Sequence, residues 1–178
     1  MSKTNNFIFN GLRIVAWVVF VGLCVQAGGL IVNFFFSLYK PEVVPRLYEK
    51  LDLSEMYEKS KYAFYSMYNL IIGIALLKAV LFYQVILLMH KLDLSNPFNP
   101  EVAKRILRLS HFTLAIGLIS YAGRQLAKNF MHKGFSVGDL NQFWSDSQAF
   151  ILMGAVIYII ATIFNKGVEL QTESELTV

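Results

Sequence analysis

Four long apolar runs decide what this chain can become. The first, Ile14–Leu38, holds 25 residues without a charge. At helical rise it spans about 37 Å, enough to cross a hydrocarbon core of about 30 Å with some tilt. The second, Ala63–Met89, is interrupted only by Lys78. The third, Ile106–Ala122, is shorter, with Arg108 in its first turn and Arg124 just past its end. The fourth, Phe143–Phe164, carries Asp146 near its start and is otherwise uncharged. These spans and their loops consume the chain, so residues 1–178 read as a single transmembrane domain: an all-α, integral membrane four-helix bundle with a short tail, 165–178.

Composition removes the competing classes. Of 178 residues, 56% are hydrophobic and only 16% charged, which excludes intrinsic disorder and a collagen-like fibre. Cys24 is the single cysteine, too few for an internal disulfide or a cysteine metal cluster. His90, His111 and His132 lack metal-ligand spacing. Basic residues near an N-terminal apolar run raise the possibility of a cleaved leader, with Val25-Gln26-Ala27 as its processing site. The apolar run continues to Leu38, so a retained span is expected.

Charge bias leaves the orientation tied. With the termini inside, seven cations (Lys3, Arg13, Lys91, Lys104, Arg105, Arg108, Lys166) face eight outside (Lys40, Arg46, Lys50, Lys59, Lys61, Arg124, Lys128, Lys133). The concentration of Lys91, Lys104, Arg105 and Arg108 in one connection favours termini inside. Lys104, Arg105 and Arg108 are expected to contact anionic headgroups.

The loops carry their own signals. After Pro41 and Pro45, a helical pattern begins at Asp52, with Ser54 as its cap and Glu55–Lys59 as an i,i+4 pair. That helix is expected to run on into the second span. Asn99-Pro100-Glu101 reads as a helix start: capping side chain, proline in the first turn, then an acid. Phe34, Phe35, Phe36, Tyr39, Tyr57, Tyr62, Phe64, Tyr65, Tyr68, Phe143 and Trp144 would form an aromatic belt on one side of the membrane.

Lipid supplies no hydrophobic drive for helices to associate, so small and polar stripes mark the expected seams. They are Gly22, Gln26, Gly29 and Asn33 in the first span, and Thr113, Gly117, Ser120 and Arg124 in the third. In the fourth they are Gln148, Ala155, Tyr158 and Thr162. Lys78 lies 11 residues from Met89, about 16 Å from that end of its run, beyond the full reach of a snorkelling stem. A cost of about 2.5–3.5 kcal/mol must be offset by a partner or by deprotonation. Gln26, midway along the first span, is the expected partner, and Asn33 joins Lys78 and Gln26 as a candidate intramembrane polar site. Asn69 lies half a turn away from Lys78 and cannot share the seam. Asp146 is expected at the belt-side interface, too far for pairing.

Enzyme signatures are absent: there is no P-loop, G-x-S-x-G, H-E-x-x-H or pair of intramembrane carboxylates. A transporter would want a discontinuous helix, and Ala27-Gly28-Gly29 is the one candidate break. No cofactor, metal or direct nucleic-acid contact is expected.

The N-P-F turn within Ser95–Glu101 and the ending I-F-x-x-G-x-x-L-Q-x-E-x-E-L-T-V resemble the bacterial domain-of-unknown-function family 2975, small four-span membrane proteins. The likeness covers essentially the whole chain. It implies cytoplasmic termini, residence in the bacterial inner membrane, and association with small helix-turn-helix regulators. The tail offers a physical basis for a partner, since Glu169, Glu173 and Glu175 alternate with Leu170 and Leu176. The expected role is an interaction or regulatory protein that holds a cytoplasmic partner at the membrane. The alternatives are a small transporter or channel subunit, or an accessory subunit of a larger complex, with Lys78 at the polar site.

Overall fold

The computed structural model describes residues 3–40, 42, 44, 51–92 and 98–176. The prolines at 41 and 45, and residues 93–97 of the N-P-F connection, lie outside the described residues. Among the described residues the fold is helical throughout: α1 (Lys3–Tyr39), α2 (Ser54–Lys59), α3 (Lys61–Lys91), α4 (Pro100–His132) and α5 (Ser147–Leu176), with a 3-10 turn at Gly138–Phe143. Four of these helices are long and apolar enough to cross a membrane. Each packs mainly on the next in the series α1, α3, α4 and α5, and α4 against α5 is the most extensive pair.

The helix ends follow local chemistry. The Ser60 side chain caps α3 by accepting from the Ala63 amide, and its own backbone is extended (φ −161°, ψ 106°). That extended residue separates α2 from α3, which overturns the expectation of one unbroken helix. Ser54 does not act as the cap of α2. It donates from its amide and hydroxyl to the Asp52 carboxylate, whose pKa is thereby held below its ordinary value. The Asn99-Pro100-Glu101 start forms as expected, with Asn99 accepting from the Glu101 amide.

At its far end α4 closes in a Schellman turn. Gly134 has φ +80°, its amide donates to Met131, and the Phe135 amide reaches back to Phe130. Phe130 and Phe135 pack edge to face across the turn. Lys59 pairs with Glu55 and donates to the Gly134 carbonyl, tying α2 to this corner.

The chain then turns back along α4. Trp144 packs on Gly123, nine residues before the end of α4 and so about 13 Å below it. Gly117 meets Phe150 and Ile151, and Gly154 meets Leu114, which fixes the antiparallel register of α4 and α5. Of the third-span stripe, Thr113, Gly117 and Ser120 are buried here and Arg124 is half-buried. The fourth-span stripe is corrected: Gln148, Ala155, Tyr158 and Thr162 are exposed, and Gly154 and Ala161 make the seam. Their spacing of seven repeats the pattern of the exposed set one residue out of phase, which rotates the contact face by about 100°.

The first-span stripe holds in part: Gln26, Gly29 and Asn33 are half-buried and Gly22 is exposed. Among the described side chains of α1, Ala16, Ala27, Leu30 and Ser37 are buried, while nothing lies within 4 Å of a Cβ placed at Gly22. Tyr68 crosses this seam and donates to the Leu30 carbonyl. The aromatic belt is also revised. Phe64, Tyr68, Phe143 and Trp144 are buried in a core shared by α1, α3, α4 and the loops, whereas Phe35, Phe36, Tyr39 and Tyr62 stay on the surface. Phe143 and Trp144 are brought against the helices by the segment that turns back along α4, and Phe64 and Tyr68 pack on Tyr57 and Phe34.

Candidate functional site: a lysine among helices

Lys78 sits on α3 and is half-buried. A helical side chain leans toward the N-terminus of its helix, so the stem runs toward the α2 end of the bundle. There it reaches a cavity of about 60 Å³ lined by Gln26, Ile74, Ala75, Lys78, Gln142 and Phe143. The space admits a few water molecules. The amine also lies 5.6 Å from the centre of the Phe150 ring, within cation–π range. Three segments thus meet the cation: α1 through Gln26, the re-entrant turn through Gln142 and Phe143, and α5 through Phe150.

Gln26 is therefore placed beside Lys78, on α1. Asn33 is not part of the cavity lining; its side-chain amide donates to Gly29 of its own helix. Asn69 points outward and donates to the Tyr65 carbonyl. Gln142 and Phe150 escaped the reading of the sequence. Their approach depends on how far the loop after α4 folds back, and only Gly134, as a C-cap glycine, hinted at a reversal. Asp146 is exposed one turn before Phe150, whose amide donates to its carbonyl.

An amine flanked by carboxamides can hold water or a small anion. Among the described residues no group of three metal-binding side chains is present. α1 continues as a helix through Ala27-Gly28-Gly29, so the candidate break does not form.

At the opposite end, the basic cluster divides. Arg105 turns inward, bonded to Glu101 at 3.0 Å, and Lys91 lies 3.5 Å from the same carboxylate. Lys104 and Arg108, a turn apart on α4, are exposed and free to meet headgroups. Arg13 of α1 donates to the Met89 carbonyl near the end of α3. His111 is exposed, its ring 6.5 Å from that of Tyr158.

The tail is not a separate segment. α5 continues through it to Leu176, and Gly167 meets Phe98 near the start of α4. Lys166, just before that contact, pairs with Glu169; beyond it Leu170 is 66% exposed and Glu173 is exposed. The side chains of Glu175 and Leu176 lie outside the described residues.

Compared with known proteins, residues 50–178 match the family model described as "Protein of unknown function (DUF2975)". No curated protein and no solved structure matches the chain.

Proposed function

The chain belongs to the DUF2975 family, and from that premise we propose that it is a regulatory interaction protein of the bacterial cytoplasmic membrane. Its termini face the cytoplasm, and the projecting end of α5 holds a protein partner there. The observation that carries this reading is the overshoot of α5. Past the contact of Gly167 with Phe98 the helix continues for nine residues and presents the exposed Glu169, Leu170 and Glu173 within a strip about 100° wide. An exposed leucine between carboxylates suits a partner with an apolar groove rimmed by basic residues. A small helix-turn-helix regulator is the partner class that fits, and the role needs neither catalysis nor a cofactor.

A photo-crosslinking residue at position 170, introduced into the full chain in cells, tests this directly. Protein adducts are expected, and combined Glu169→Lys and Glu173→Lys should reduce them at least about tenfold while four-span insertion is retained. Adducts to lipid alone, or protein adducts indifferent to charge reversal, would overturn the proposal. Reporter fusions at both ends must also give cytoplasmic signals.

A second reading, a small transporter or channel subunit, draws support from the cavity around Lys78, Gln26 and Gln142. The continuous course of α1 weighs against it, because a four-span transporter would be expected to break a helix at its binding site.

A further inference from the structure

Sixteen positions separate Arg108 from Arg124 on α4, about 24 Å at helical rise. Between them Leu109–Gly123 contains no Asp, Glu, Lys or Arg, so the two arginines mark the edges of the apolar part of this helix. At the second edge the chain builds a cavity of about 250 Å³. Its polar lining is Arg124, Lys128 and Asn141, with Met131, Val137 and Gly138 among the apolar walls.

Arg124 and Lys128 are one turn apart and face the same side. Among the described side chains, which do not include that of Asp139, neither takes part in an ion pair and none that lines the cavity is acidic. Arg124 is half-buried, so its charge is partly desolvated. The opposing wall comes from the re-entrant segment, which the Schellman turn at Gly134 swings back against α4. The fold therefore sets a guanidinium, an amine and a carboxamide around one space at the boundary between apolar and polar helix. A guanidinium and an ammonium together match the charge and oxygen geometry of a phosphate.

We propose that this cavity binds the phosphodiester of an anionic phospholipid, on the membrane face opposite Lys104 and Arg108. Lipid is the source because the site sits at the edge of the apolar helix and has apolar walls, which a free phosphate would leave unused. Bound there, one headgroup would bridge α4 to the re-entrant segment, and that segment in turn contacts the Lys78 cavity through Gln142 and Phe143.

Native mass spectrometry of the purified full chain in mild detergent tests the site. The probes are phosphatidylglycerol, zwitterionic phosphatidylcholine and water-soluble glycerol phosphate. One phosphatidylglycerol per chain should be retained in preference to phosphatidylcholine, and glycerol phosphate in equal amount should not displace it. The paired variant Arg124→Gln with Lys128→Gln should weaken retention by roughly tenfold or more. Lys104→Gln with Arg108→Gln should leave this adduct in place. If the paired variant fails to fold, Gly138→Leu decides: Gly138 lines the cavity and nothing lies within 4 Å of a Cβ there, so a leucine adds bulk at the cavity wall without altering charge. It should also displace the lipid. Equal retention of phosphatidylcholine, undiminished binding by the folded paired variant and by Gly138→Leu, or displacement by glycerol phosphate would each overturn the assignment.

Discussion

Replacing Gly154 by alanine is expected to destabilise the α4–α5 pair by about 2–3 kcal/mol, at the upper end of the usual cost of overpacking. A Cβ at this position would lie 2.8 Å from the Leu114 backbone nitrogen and 2.7 Å from its Cγ. A side chain can rotate away from such a clash, but a helix backbone cannot. The same holds on the other side of the seam, where a Cβ at Gly117 would be 2.7 Å from the Ile151 nitrogen. Each glycine admits the opposite helix, so α4 and α5 must separate if either gains a methyl group. In lipid that separation forfeits the close packing that holds helices together. Gly73→Ala is the control, because nothing lies within 4 Å of its Cβ. Removal of a mid-helix glycine there should be neutral or favourable by about 0.5–1 kcal/mol. Unfolding in mixed detergent, followed by helical ellipticity, separates the three variants. Unchanged stability of both Gly154→Ala and Gly117→Ala would mean that the α4–α5 register is wrong.

Lys78→Met is expected to stabilise the inserted protein by about 1–2 kcal/mol and to leave crosslinking from position 170 unchanged. The estimate sets an intramembrane lysine cost of about 2.5–3.5 kcal/mol against the loss of its cation–π and hydrogen-bonding partners, about 1–2 kcal/mol. Methionine fills similar volume beside Phe150, Ile74 and Ala75 and adapts to an irregular space. An in-cell insertion assay and detergent unfolding measure the gain. If the variant inserts and folds but loses an ion flux or a ligand response of the wild type, the transporter reading replaces the interaction reading. If it becomes clearly less stable, the amine is a structural strut rather than a cost carried for another purpose.

The readings of the sequence that held have a common basis. Span number, the cap at Asn99 and the stripe Thr113, Gly117, Ser120 all depend on residues close together in the chain, where one helical turn defines the neighbours. The α5 stripe failed although its periodicity was sound. Gln148, Ala155 and Thr162 recur every seven residues, but so do Ser147, Gly154 and Ala161, and it is the second set that is buried. Two parallel sets one residue apart are equally periodic, and the partner helix alone chooses between them. Gln26 was found because antiparallel spans of known length place their midpoints together. Gln142 was not, since no rule of spacing says how deeply the loop after α4 re-enters.

Apolar run length by itself determined that this chain is helical and has four helices long and apolar enough to cross lipid, because a span of about 30 Å admits few other solutions for its backbone. It also determined that a lysine must lie far from either end of the second span. Only the tertiary structure decided which face of α1 and of α5 is buried, that the aromatics of residues 143–144 fill the core, and that Gln142 and Phe150 join Gln26 around Lys78. Those outcomes rest on close approach between segments distant in the chain, where a glycine against a backbone nitrogen or a loop turned by a positive φ sets distances that local periodicity does not contain.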